Sequence, residues 1–130
     1  MKSTLLLLLL AFTMSGCKKD NTHPNTINGT WELRAWSGTI AGISKTYPPG
    51  NGSLIQFNAD NTYKFFANFQ ESNHGIYKIV KNGINMGSRI YDALYYDNSA
   101  SADFVVLNVD SLTIGNTYPD GVTSLYLRQK

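Results

Sequence analysis

The chain has 130 residues, with 11 Lys and Arg against nine Asp and Glu for a net charge of +2, and it contains one cysteine. That length suits one domain, and the near balance of charge without a basic stripe speaks against nucleic acid as a partner. A single thiol forms no internal disulfide, so packing alone must hold the fold.

Lys2 precedes an apolar run, Leu5 to Leu10 with Ala11 and Phe12, and the run ends in the small residues Ser15 and Gly16 before Cys17. A positive start, a short apolar stretch and small residues at the cut describe a secretory signal peptide over residues 1–16. The run falls short of the roughly 20 apolar residues that a spanning helix needs. Met14-Ser15-Gly16-Cys17 resembles the lipobox of bacterial lipoproteins. The resemblance implies that Cys17 is lipidated, with palmitate among its acyl chains, and becomes the first residue of the mature chain. Each buried CH₂ contributes about 0.8 kcal/mol, so several chains make a durable membrane anchor. Lys18-Lys19-Asp20 places no Asp directly after the cysteine, which on the same resemblance implies the outer membrane, with either face open. Asn21 to Asn28 is polar, contains Pro24 and lacks periodicity; residues 17–28 therefore read as a lipidated terminus and tether.

From Gly29 onward no window carries a helical period with caps, and short alternating or aromatic-rich runs recur instead. Thr30 to Trp36 is the first strand, with Trp31, Leu33 and Ala35 on one face. Ser37 to Gly52, rich in Gly and Pro, reads as a long loop of the kind that often covers a pocket or moves. Ser53 to Asn58 is the second strand, and Ala59-Asp60-Asn61 a turn. Thr62 to Phe69 is the third, and Glu71 to His74 reads as a turn. Gly75 to Val80 follows, then Lys81-Asn82-Gly83 as a hairpin turn, since Asn-Gly supplies positive φ. Ile84 to Met86, Arg89 to Tyr96, Phe104 to Val109, Leu112 to Ile114 and Ser124 to Arg128 complete the set. Tyr118-Pro119-Asp120-Gly121 is a turn. Such a meander predicts an all-β fold, a small antiparallel up-and-down β-barrel of about eight strands, whose closure hides its edges.

Gly29-Thr30-Trp31 at the start of the first strand resembles the G-x-W signature of lipocalins. Those barrels carry an arginine near the end of the last strand, packed on that tryptophan, and Arg128 stands at the matching place. The resemblance covers residues 29–130 and implies structural closure of the barrel by Gly29, Trp31 and Arg128. It also implies a lid in the long link after the first strand. The usual helix after the eighth strand is absent from this sequence.

Tyr63, Phe65, Phe69, Tyr77, Tyr91, Tyr95 and Phe104 fall in register on their strands and are the candidates for a ligand-lined barrel interior. A solid aromatic core is the alternative, since eight strands enclose little more than side chains. Trp36, Phe66 and Tyr96 fall on the opposite faces, where they could meet a protein or a glycan. No catalytic residue, cofactor or metal site emerges. His74 has no His or Cys partner at zinc spacing, and the acids, Asp92, Asp97 and Asp103 among them, are scattered. The expectation is a non-enzymatic, lipid-anchored envelope protein that binds a small hydrophobic ligand in its barrel. The alternative is an interaction module with a solid core that docks a protein or glycan on its outer face. A hydrolase with its site at the barrel mouth is the third choice.

Overall fold

The computed structural model describes residues 25–38 and 40–130, so the segment read as a signal peptide, Cys17 and His23 lie outside the described residues. Among the described residues, alternation of apolar and polar side chains builds nine strands in chain order. They are β1 (Gly29–Gly38), β2 (Ile43–Thr46), β3 (Leu54–Phe57), β4 (Thr62–Ala67) and β5 (Gln70–Met86). β6 (Arg89–Tyr96), β7 (Asp103–Leu107), β8 (Ser111–Gly115) and β9 (Thr123–Arg128) follow.

Every pairing is antiparallel, and from β3 to β9 each strand lies beside the next. β1 closes the ring. One of its edges pairs with β9 from Trp31↔Arg128 to Ser37↔Thr123. Its other edge is shared, Gly29–Glu32 pairing with β3 and Ala35–Gly38 with β2. The result is a closed eight-stranded barrel, with β2 as an extra strand on its flank.

Three turn assignments differ from the sequence reading. Lys81-Asn82-Gly83 is not a hairpin turn but a bulge inside β5, because β5 pairs with β6 on both sides of it, Val80↔Ala93 and Ile84↔Tyr91. Asn82 takes a φ of 54°, its N–H donates to Asp92 Oδ1 at 3.0 Å, and Lys81 Nζ meets Asp92 Oδ2 at 2.6 Å. The properties that make Asn-Gly a good turn also suit a bulge. The chain reverses instead at Gly87, φ 69°. The β4–β5 reversal falls at Asn68 and Phe69, φ 51° and 63°, so Glu71 to His74 belong to β5 rather than to a turn. The link from Ser37 to Gly52 contains β2, and its remainder is pinned by Asn51. That side chain donates to the carbonyls of Leu33 and Pro48 at 2.8 Å and accepts from Ser53 N at 2.9 Å.

The barrel interior is filled by Trp31, Ile55, Phe57, Tyr63, Tyr77, Leu94, Val105, Leu112 and Ile114, with Ile27 added from outside the strands. Burial of each large side chain contributes about 1.5–3 kcal/mol, which suits a domain without a disulfide. Among the described residues Glu32 is the buried charged group, on the opposite face of β1 from Trp31. Its carboxylate accepts from Asn51 N at 3.0 Å and from Gln129 Nε2 at 3.2 Å.

Candidate functional site at the barrel ends

The barrel has two unlike ends. At one, the segment Thr26–Asn28 crosses below Trp31, whose indole N–H donates to the Ile27 carbonyl at 2.7 Å. The Arg128 guanidinium carbon lies 4.0 Å from the centre of the Trp31 ring. Its nitrogens donate to the carbonyls of Thr26 at 2.6 Å, Asn28 at 2.8 Å and Val109 at 2.9 Å. Gly29, φ 134°, fits against this guanidinium, and a Cβ there would press on Arg128 Nη1 at 2.6 Å. The Tyr77 hydroxyl lies 2.9 Å from Asn28 Oδ1 and 3.0 Å from the Asn58 carbonyl. Gly29, Trp31 and Arg128 are thus brought together, and Ile27 and Asn28 of the expected tether form part of the plug.

Arg128 ends β9, whereas Ser124 stands near its start, and there the interior opens. A recess of about 230 Å³ is lined by Phe65, Tyr96, Asp103, Ile114, Gly115, Asn116, Val122, Ser124 and Tyr126. It exceeds the roughly 150 Å³ of an apolar cavity that takes one benzene ring. Its floor is aromatic: Tyr96 packs on Tyr63 at 4.9 Å and on Phe65 at 5.8 Å between ring centres. Burial holds the Tyr96 hydroxyl well above its ordinary range, and the charges of Tyr126, Asp103 and Tyr63 add to the shift. Burial also raises Tyr126, with a further contribution from Asp103. Asp103 is itself raised by burial alone. No described residue hydrogen-bonds its carboxylate or forms an ion pair with it.

Next to this recess Tyr63 is anchored rather than free. Its hydroxyl donates to Asp97 Oδ2 at 2.6 Å, and Ile76 N donates to Asp97 Oδ1 at 3.0 Å. Burial, then the hydrogen bond to Asp97, pushes the Tyr63 phenol up to about 12. The same bonds, from Tyr63 first and Ile76 second, hold the Asp97 carboxyl below its usual value. Gly75 makes this contact feasible, because a Cβ there would overlap the Asp97 carboxylate.

The seven aromatic candidates separate accordingly. Tyr63, Phe65 and Tyr77 face the interior, and of these Phe65 alone lines the recess. Phe69 is 64% exposed at the β4–β5 turn, outside the register expected for it. Tyr91, Tyr95 and Phe104 lie on the other face of their strands, since Leu94 and Val105, an odd number of positions away on the same strands, are buried inside. Tyr91 and Phe104 stack there with ring centres 5.0 Å apart.

Two residues expected outside turn inward. Tyr96 follows Leu94 in phase and reaches the recess. Trp36 lies directly opposite Ser124, and opposed residues share a face. The register shift between Leu33 and Ala35 inverts the alternation. The Trp36 indole N–H donates to the Tyr47 hydroxyl at 2.9 Å. Phe66 keeps its expected place, across from Leu54 and on the face opposite Phe65.

A second, larger groove of about 370 Å³ lies outside the barrel, along Ile76, Lys78, Val80, Tyr95, Asn98 and Ser99. His74 sits on the surface of β5, with Nδ1 2.9 Å from Glu71 Oε1, while Lys64 Nζ takes Glu71 Oε2 at 2.8 Å. Among the described residues no three His, Cys, Asp or Glu side chains converge to hold a metal ion. The polar and aromatic residues that line the recess and escaped the sequence reading include Asn116, Ser124, Tyr126 and, as a site residue, Asp103. Tyr126 carried a usable signal, two positions before Arg128 and so on the same face of its strand. No family model, curated protein or solved structure matches the chain.

Proposed function

We propose that this chain is a lipid-anchored envelope protein of lipocalin type, held in the outer membrane through Cys17, whose barrel takes one small hydrophobic ligand. The reading is non-enzymatic and needs no cofactor. The observation that carries it is the asymmetry of the barrel ends. Trp31, Arg128 and the segment before Gly29 plug one end, and the other opens into a recess with aromatic walls and a few polar groups. Concave, mostly apolar sites with sparse polar groups are the form that small-molecule sites take.

Native mass spectrometry of the full chain, extracted from membranes in mild detergent, tests both parts. A mass raised by acyl chains and mapped to the Cys17 peptide supports the anchor, and an unmodified thiol there refutes it. A co-purifying small molecule, or a melting-point rise with lipid extracts, supports the cup. A bare protein mass with no such rise moves the function to the outer face. That second reading, an interaction module for a protein or glycan, is favoured by the larger groove along Ile76, Val80 and Tyr95.

A further inference from the structure

We infer that the open recess selects a small organic cation, an ammonium head on an apolar body, held by Asp103 against the rings of Phe65, Tyr96 and Tyr126. The inference rests on the reading of this end as a binding recess and names what the recess would take.

Arg128 is matched by carbonyls, Asp97 by Tyr63 and Ile76, and Glu32 by Asn51 and Gln129. Asp103 is half-buried in the recess wall without a described hydrogen-bond donor or cation. Its oxygens still reach solvent, but partial burial already disfavours the charge, and a ligand that brings the opposite charge offsets that cost. The aromatic walls favour the same partner, because ring faces attract a cation within about 6 Å. Among the described residues no Lys, Arg or His lines the recess, so nothing described there recommends an anion. A metal ion would want several oxygen or nitrogen ligands from the protein, and no such group of acids and histidines forms among the described residues. The volume, about 230 Å³, holds one ring-sized body with a short charged arm.

The recess also predicts its own pH dependence. The titratable groups facing Asp103 are Tyr96 on β6 and Tyr126 on β9, with Tyr63 behind Tyr96. All three phenols are raised above their ordinary range, so none changes charge between pH 4 and neutrality. Asp103 alone titrates in this set, and its raised value brings protonation toward milder acid. Cation affinity is therefore present at neutral pH and falls as pH drops through the Asp103 titration.

Isothermal titration of the full chain with 2-phenylethylammonium and with 2-phenylethanol, its neutral counterpart of like shape, is the test. At neutral pH the ammonium should bind about ten- to a hundredfold more tightly, the range of one charge-assisted hydrogen bond. Asp103→Asn should remove that preference while leaving the far-ultraviolet spectrum unchanged, and Asp103→Glu should retain part of it. Equal binding of both probes, or a preference that survives in Asp103→Asn, overturns the cation reading and leaves the recess standing. Binding of neither probe overturns it as well. In that case a co-purified molecule in native mass spectrometry separates a cup of other chemistry from no cup at all.

Discussion

Replacing Arg128 with alanine probes how the barrel is closed. The side chain contributes a guanidinium over the Trp31 ring at 4.0 Å, an interaction of about 0.5–2 kcal/mol. It also donates to the Thr26 and Asn28 carbonyls at 2.6 and 2.8 Å. Both bonds are partly solvent-exposed, so each is discounted to about 1 kcal/mol. The bond to Val109 is exposed and adds little. The expected loss is about 2–4 kcal/mol, a fall in melting temperature on the order of 10–20 °C for a domain near this size. Trp31→Ala empties a fully buried site and should cost about 3–5 kcal/mol. Because the two side chains share one contact, the double variant should lose less than the sum of the single ones. Calorimetric melting measures the loss, and hydrogen exchange at Ile27 and Asn28 reports whether the plug loosens first. An Arg128→Ala midpoint within about 2 °C of the parent, with unchanged exchange in the plug, would refute the closure argument.

Three further outcomes follow from the same geometry. Gly75→Ala sets a methyl against the Asp97 carboxylate and should destabilise by about 1–3 kcal/mol, read from urea midpoints; no change would mean the β6–β7 loop moves aside freely. Asn51→Ala removes three side-chain hydrogen bonds from the loop after β2 and should cost about 1–3 kcal/mol, with proteolysis appearing first between Tyr47 and Ser53. Burial raises the folded-state value of Asp103 above its unfolded value, so its ionisation favours the unfolded chain. Asp103→Asn should accordingly melt higher than the parent at neutral pH, with the difference vanishing in acid below the unfolded carboxylate value. A variant that melts lower at neutral pH would mean that Asp103 has a stabilising partner.

The strand set was legible because turn chemistry and alternation coincide: β6 runs from Arg89 to Tyr96 as read, and Asn61 reverses the chain with a φ of 64°. What escaped depends on partners that no local pattern contains. A bulge exists only relative to the strand opposite. Counting by twos from Trp31 therefore misplaces everything after Arg34, and Lys81-Asn82-Gly83 reads as a turn although β6 continues beside it. β6 misled in another way. Tyr91, Ala93 and Tyr95 look like the apolar face, yet Leu94 and Tyr96 fill the barrel. Both faces of that strand are apolar, because the β5 bulge at Gly83 covers Ala93 on the outside, so its sequence carries no phase. Asp103 was visible as an acid but not as a site, since only closure of the ring sets it beside Tyr96 and Tyr126.

The division of one edge of β1 between β2 and β3, with β9 on the other, bears on how the molecule is made. Seven of the barrel's eight strand contacts join neighbours in the order of synthesis, the flanking β2 set aside, and these can zip up as successive hairpins. The eighth, from Trp31↔Arg128 to Ser37↔Thr123, joins strands separated by most of the described chain. Its loop-closure entropy comes due only after every hairpin is in place. Until β9 emerges, β1 and β8 present open edges that a neighbouring chain can pair with. The vulnerable species in biogenesis is therefore a curled but unsealed sheet. Folding yield should depend more on residues of β9 than on any contact in the recess.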